Sequence, residues 1–214
     1  MLQFSLCLFC SAVPLRERPI CRHCLLELEK LYLPMDQVCT TEWGFPLLSL
    51  FDWRDDKLAL PRLVMALKQG ARAKLWDFLA DIFVDQLGSF QVYLKQPLFV
   101  PIPSRLGITQ DHAYLWAQAL SFRLGGEVGE LLQREDGGPQ KRKNRKERAK
   151  IQFGLPKPLG NSFRTVILVD DLVASGATMQ AAIAAFSEQK EVFGLSLVRR
   201  SLLLEQPPFD ITRQ

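Results

Sequence analysis

The segment V-I-L-V-D-D-L-V-A-S-G-A-T, residues 166–178, constrains the fold of this chain more than any other part of its sequence. Its first four residues are apolar and predict a strand that is buried on both faces. Asp170 and Asp171 follow where this strand is expected to end, and after a loop of small residues the run 179–186 has the pattern of a helix. A strand, a small-residue turn and a helix N-terminus favour anion binding, because backbone N–H groups and the helix dipole converge there.

The side chains of this segment suit a phosphate that lies next to a sugar. Ser175 and Thr178 supply hydroxyl donors, and Gly176 lets the backbone come close to a phosphate. Carboxylates beside a phosphate can hold ribose hydroxyls or a magnesium ion. An ordinary buried strand whose two aspartates cap the next turn is the alternative interpretation. A two-component receiver domain also carries an aspartate pair after a strand, but too few residues follow Asp171 to complete such a domain.

The complete string resembles the phosphoribosyl pyrophosphate (PRPP) signature of type I phosphoribosyltransferases, in which an apolar strand and two acids precede a T-G-x-T-like tetrad. The tetrad of this chain is residues 175–178. Helical patterns over residues 57–69, 72–87 and 109–124 alternate with short apolar strands, which predicts a parallel sheet with helices on both faces. Residues 34–50 are interpreted as an irregular connector. The fold class expected from the resemblance is therefore an α/β, type I phosphoribosyltransferase-like sheet.

Four N-terminal cysteines form two C-x-x-C pairs, Cys7 with Cys10 and Cys21 with Cys24. Each pair can fold into a tight knuckle whose backbone N–H groups support thiolates, and together they offer four soft ligands to a tetrahedral zinc ion. Disulfide bonds are the alternative, which a reducing compartment disfavours. Because four cysteines leave no open coordination position, this zinc is expected to be structural. The predicted domains are a zinc-finger module with its connector, residues 1–38, and a phosphoribosyltransferase-like domain, residues 39–214.

The excess of positive over negative charge lies in one segment. The net charge is +4, whereas residues 141–150 alone contain seven basic residues and a single acid, Glu147. Three interpretations are open: a mobile lid over a reacting ribose, a contact for the backbone of single-stranded DNA, and a solvated loop. The segment has no aromatic residue, so base stacking would have to come from elsewhere. Its basic residues are Lys141, Arg142, Lys143, Arg145, Lys146, Arg148 and Lys150.

The sequence has no apolar stretch of the length that a membrane span needs. Its N-terminus is apolar but carries no Lys or Arg before Arg16, unlike a secretory signal. We therefore expect a cytoplasmic protein without a membrane span, in which the cysteines stay reduced.

Several features, taken in order along the chain, resemble the ComF/GntX family. They are the two C-x-x-C pairs, a helix end at Lys68-Gln69-Gly70, a V-P-I-P strand, a basic loop and the C-terminal PRPP signature. The resemblance implies a protein linked to natural competence and DNA uptake, which would handle incoming single-stranded DNA alongside other competence proteins.

The resemblance also implies a site for PRPP. Asp170 and Asp171 would be the catalytic pair, binding the ribose hydroxyls directly or through Mg²⁺, and the loop after them would bind the 5′-phosphate. The loop that follows the V-P-I-P strand, with Arg105 as its cation, would meet the pyrophosphate. The substrate-binding residues are then Ala174, Ser175, Gly176, Ala177, Thr178, Arg105 and Lys68.

Three functions are compatible with these residues: a PRPP-dependent transferase, a PRPP sensor without turnover, and a DNA-handling adaptor on a transferase scaffold. Relatives usually carry an R-G-F-N-like stretch after the V-P-I-P strand, where this chain has residues 108–111, I-T-Q-D. Ile151 stands where an Asn is expected after the basic loop. These differences bear on pyrophosphate handling, and hence on turnover.

Overall fold

The computed structural model describes five helices and eight strands within part of the chain. The described residues are 7–11, 19–33, 39–40, 44–53, 59–68, 73–88, 96–104, 111–135, 151–155, 163, 165–186 and 191–200. The helices are α1 (Arg22–Glu29), α2 (Ala59–Lys68), α3 (Ala73–Leu87), α4 (His112–Leu124) and α5 (Ala177–Ala184). The strands are β1 (Cys39–Thr40), β2 (Leu47–Trp53), β3 (Leu98–Pro101), β4 (Glu127–Val128), β5 (Gln133–Arg134), β6 (Phe153–Gly154), β7 (Thr165–Val173) and β8 (Glu191–Arg200).

Six of the strands form one sheet in the order β1-β2-β8-β7-β3-β4. β1 is antiparallel to β2, and the other neighbouring pairs are parallel. β5 and β6 form a separate antiparallel pair. The mostly parallel sheet with flanking helices confirms the predicted α/β class, and α2, α3 and α4 lie where the helical patterns predict them. The phosphoribosyltransferase-like assignment within that class stays a prediction.

Successive residues of β7 pack against helices on opposite faces of the sheet. Ile167 belongs to a buried cluster with Trp116 of α4, and Leu168 belongs to a second buried cluster with Met179 of α5. Both β7 residues are fully buried, and the burial of one such side chain stabilises the fold by about 1.5–3 kcal/mol. The prediction of a strand buried on both faces is therefore confirmed.

β1 and β2 show that the prediction of an irregular connector over residues 34–50 is wrong at residues 39–40 and 47–50. Leu47–Trp53 is a strand in the interior of the sheet and pairs in parallel with β8. Its buried hydroxyl, Ser49, hydrogen-bonds to Ser196 with an Oγ–Oγ distance of 2.8 Å. A buried serine in a strand needs such a partner, and this partner lies 147 residues further along the chain. No local pattern can reveal it.

β7 is also longer than predicted. The sequence pattern ends the strand at the aspartate pair, whereas β7 continues to Val173, which pairs with Arg199 of β8. The strand continues because Val173 is buried beyond the two acids. Asp170 and Asp171 therefore lie within the strand, and α5 begins at Ala177, slightly before the predicted 179.

The N-terminal cysteine segment packs into the same core as the sheet. The Leu33 backbone N–H donates to the Leu50 carbonyl at 3.0 Å, and Tyr32 forms an antiparallel bridge with Phe51 of β2. Leu28 of α1 is fully buried in the cluster that contains Leu50 and Phe51. Residues on both sides of the predicted domain boundary thus share one hydrophobic core.

Candidate functional site

The chain leaves two neighbouring strands of the sheet in opposite directions. After β3 it passes through α4 to β4, and after β7 it passes through α5 to β8. β3 and β7 are paired, while α4 and α5 pack on opposite faces of the sheet. In open α/β sheets a crevice forms at the carboxyl ends of such strands, and ligands bind in it. We call this region the switch-point site; its residues are Ser104, Asp111, His112, Asp170, Asp171 and 174–178.

Two adjacent carboxylates dominate the electrostatics of the switch-point site. Asp170 and Asp171 are partly buried, and the Asp171 backbone N–H donates to Oδ1 of Asp170 at 2.9 Å. Burial raises the pKa of the Asp170 carboxyl well above its ordinary value, and the nearby charges of Asp171 and Asp111 raise it further. Like charges held this close favour a cation or hydroxyl donors as a ligand.

Asp111, which sequence reasoning does not select, ties the loop after β3 to the start of α4. Its Oδ1 accepts a hydrogen bond from the Tyr114 backbone N–H at 3.1 Å, and its Oδ2 accepts one from the Ser104 backbone N–H at 3.0 Å. Asp111 is thus the N-cap of α4. An aspartate near the start of a helical pattern is the local signal for such a cap, and here it places the helix start three residues after the predicted 109.

His112 is the second site residue that sequence reasoning does not select. Its Nδ1 lies 3.5 Å from Oδ2 of Asp171. The imidazole ring faces Trp76 of α3, with 6.2 Å between ring centroids and 33° between ring planes. Trp76 is buried and packs in turn on Trp116, with centroids 5.8 Å apart. The indole therefore supports the imidazole while the edge of the imidazole contacts Asp171. No signal in the local sequence connects His112 with Asp171.

The loop between β7 and α5 offers backbone donors at the same edge. Gly176 is the N-cap of α5 and has a left-handed backbone with φ of 69°, which glycine adopts without strain. Because glycine has no side chain, the first amides of α5 are not occupied by an N-cap group. Ser175 is exposed and Thr178 is half-buried beside them. This geometry suits a phosphate.

The remaining predicted substrate residues are only partly covered by the structure. Lys68 is the last residue of α2, and its side chain lies outside the described residues. Ser104 precedes Arg105, and its hydroxyl is buried without a hydrogen-bond partner among the described residues. Arg105 and the basic residues Lys141, Arg142, Lys143, Arg145, Lys146, Arg148 and Lys150 also lie outside the described ranges.

The four predicted metal ligands come together in a second site. The sulfur atoms of Cys7, Cys10, Cys21 and Cys24 all lie within 4.8 Å of one another. The Sγ atoms of Cys10 and Cys21 are 3.8 Å apart, which is the separation of two thiolates on a tetrahedral zinc with Zn–S bonds of about 2.3 Å. The cluster can therefore bind a metal such as zinc.

The environment of this cluster also favours a metal. The backbone N–H groups of Cys21 and Phe9 donate to the Cys7 sulfur at 3.2 and 3.4 Å. Burial alone would raise the pKa of Cys7, but backbone N–H groups, that of Cys10 among them, outweigh it and lower the pKa to about 7. Burial and the neighbouring thiols raise the pKa of Cys24. A divalent cation would relieve this crowding of sulfurs, because it binds all four as thiolates.

The fold and the two sites define an α/β protein with a mostly parallel sheet, a candidate ligand site at its switch point and a four-cysteine cluster able to bind a metal. No known family model matches the chain, and no curated protein sequence is detectably similar to it. Among the described helices, none is both long enough and apolar enough to cross a membrane. Any family assignment therefore rests on the sequence motifs.

Proposed function

We propose that this protein is a ComF/GntX-like, phosphoribosyltransferase-domain protein that binds PRPP with magnesium at the switch-point site. One observation carries the proposal: the acid pair and the Gly176 loop lie together at the carboxyl end of β7. A phosphorylated ribose presents a phosphate and a pair of hydroxyls a short distance apart. The loop amides match the phosphate, and the carboxylates match the hydroxyls or a magnesium ion.

Each part of the site has its own role in this proposal. The backbone of residues 174–178, with the Ser175 and Thr178 hydroxyls, holds the 5′-phosphate. Asp170 and Asp171 hold the ribose 2′- and 3′-hydroxyls, directly or with magnesium. Bound magnesium supplies positive charge next to the pyrophosphate. Arg105 and Lys68 complete the set of cations around PRPP.

Phosphoribosyl transfer breaks the bond between ribose C1 and the pyrophosphate oxygen while a nitrogen nucleophile bonds to C1. The ribose becomes cationic on the way, so the protein must fix it and neutralise the departing pyrophosphate. Ser104 lies in the loop after β3; its buried hydroxyl has no partner among the described residues and offers a donor to the pyrophosphate. Release of pyrophosphate in the presence of a base separates a transferase from a PRPP sensor.

Calorimetric titration of PRPP and magnesium into purified, zinc-loaded protein tests the proposal. We expect saturable binding that disappears in the Asp170→Asn/Asp171→Asn variant, because both ribose ligands lose their charge. Gln118→Ala is the matched control, since Gln118 is an exposed residue of α4 outside the site. A well-folded wild-type protein that does not bind PRPP would refute the proposal.

The concentration of charge in residues 141–150 favours a second candidate function, the handling of single-stranded DNA during natural competence. Contacts between basic side chains and phosphates predict an affinity that falls steeply with salt. Fluorescence anisotropy of a labelled oligonucleotide measures it with and without PRPP. If binding survives neutralisation of Lys141, Arg142, Lys143 and Arg145, this segment is not the DNA contact. DNA binding that is indifferent to PRPP would favour an adaptor.

We propose that the four-cysteine cluster holds a structural zinc. A site with four cysteine ligands has no open position for a substrate. Cys7, Cys21 and Cys24 are each at most 4% exposed and belong to the same core cluster as Leu28. Their burial favours a role in holding the N-terminal segment against the sheet.

A further inference from the structure

We propose that His112 is a positioning residue whose imidazole holds the Asp171 carboxylate in the orientation that faces the ligand. This inference rests on the proposed PRPP site and adds to it a residue that no sequence motif selects. It starts from the contact between Nδ1 of His112 and Oδ2 of Asp171, 3.5 Å apart.

The crowding of carboxylates at the switch-point site gives this contact its importance. Asp170 has two carboxylates near it, those of Asp171 and Asp111, and beyond the effect of burial the charges of both raise its pKa. Both oxygens of Asp111 accept backbone N–H groups, and Oδ1 of Asp170 accepts the Asp171 N–H. Asp171 is contacted at Oδ2 by the ring nitrogen of His112.

The imidazole is itself held in place from two sides. Asp111 fixes the backbone directly before His112, because its carboxylate caps α4 and bonds to the loop after β3. Trp76 lies against the ring from α3 and is almost completely buried. A histidine at the first position of a helix has several rotamers available, and these neighbours favour the one that points to Asp171. A side chain held in this way can orient another.

If His112 had a purely structural role, its Phe and Asn variants would bind PRPP in the opposite order. If the ring matters only because it packs on Trp76, His112→Phe preserves the function and His112→Asn does not. If the ring nitrogen matters because it orients Asp171, the outcome is reversed. Asparagine places an amide N–H close to the position of Nδ1, whereas phenylalanine keeps the ring without a donor. The two variants therefore separate the two roles.

The experiment measures the affinity for PRPP and magnesium by calorimetry, and the melting temperature, for wild type, His112→Phe and His112→Asn. We expect His112→Phe to weaken binding about tenfold, because the polar contact to a charged carboxylate is lost. We expect His112→Asn to bind within about threefold of wild type, since it keeps the donor. Wild-type affinity in His112→Phe, or equal losses in both variants, would overturn the inference.

A double-mutant cycle separates this inference from the proposed function. If folded wild-type protein does not bind PRPP, the proposed function fails, and the orienting contact is then judged by the unfolding of His112→Phe, Asp171→Asn and the double variant. Non-additive changes in stability support the contact, because residues that interact directly are coupled. Additive changes refute it.

Discussion

Removal of the Asp111 carboxylate is the sharpest test of how the switch-point site is built. In Asp111→Ala, α4 loses its N-cap bond to Tyr114 N–H, which costs about 1 kcal/mol. The Ser104 N–H also loses an ionised acceptor, which costs about 1.5 kcal/mol. Together the variant is expected to lower the free energy of unfolding by roughly 2.5 kcal/mol.

Urea-induced unfolding and thermal melting of the full-length protein measure this loss. In a chain of this size, about 2.5 kcal/mol lowers the melting temperature by roughly 5–10 °C. Asp111→Ser is the matched variant: it removes the same charge, but its hydroxyl still caps Tyr114 N–H and cannot also reach Ser104. We therefore expect Asp111→Ser to recover about 1 kcal/mol of the loss seen in Asp111→Ala, so that a loss of about 1.5 kcal/mol remains.

Three results would each contradict part of this reasoning. A melting temperature of Asp111→Ala within about 1 °C of wild type would show that neither bond stabilises the fold. Equal losses in the Ala and Ser variants would show that the cap contributes nothing. Full stability in Asp111→Ser would show that the bond to Ser104 contributes nothing, and that the loop after β3 is held by other contacts.

Two further predictions concern the acid pair and the cysteines. Asp170→Asn is expected to raise the melting temperature of the ligand-free protein at neutral pH, because the fold raises the pKa of this carboxyl above its ordinary 3.8 and so disfavours its ionised form. The melting temperature of the wild type should accordingly increase as the pH falls through the folded-state pKa towards 3.8. The difference in melting temperature between Asp170→Asn and wild type should shrink over the same range. A difference that is independent of pH would contradict this explanation. Removal of zinc by a chelator, or Cys10→Ser at the most exposed ligand, should lower both the bound zinc measured by mass spectrometry and the melting temperature. An unchanged melting temperature after complete zinc loss would show that the cluster does not support the shared core.

The local sequence is sufficient to predict the elements whose signals are local. The pattern of 166–178 predicts β7, its loop and α5, because strand burial, small residues and a helix start all lie within a dozen residues. The spacing of Cys7, Cys10, Cys21 and Cys24 predicts their cluster, since each C-x-x-C pair needs only one tight turn. Helical periodicity locates α2, α3 and α4 for the same reason.

The features that the sequence does not reveal depend on contacts between distant segments. β2 has an apolar run that Ser49 interrupts, and the partner that allows this hydroxyl to be buried, Ser196, belongs to a strand near the other end of the chain. His112 is missed because only its contact with Asp171 marks it as a site residue. The two side chains lie together because β3, which precedes α4, pairs with β7. Strand order in the sheet decides that meeting, and no local pattern encodes it.

The charges at the carboxyl edge of the sheet support our proposal that the acid pair serves a ligand. In β2 and β8, Asp52 and Arg199 are register partners, so opposite charges occupy neighbouring strands at this edge. β7 instead places Asp170 and Asp171 side by side, and the pKa of Asp170 is raised as a result of burial and of this neighbour. An arrangement that makes the ligand-free protein less stable is typical of functional sites. The stability that Asp170→Asn is expected to gain therefore measures the cost of burying this carboxylate beside Asp171. The affinity that the Asp170→Asn/Asp171→Asn variant is expected to lose measures what the same carboxylates contribute to the ligand.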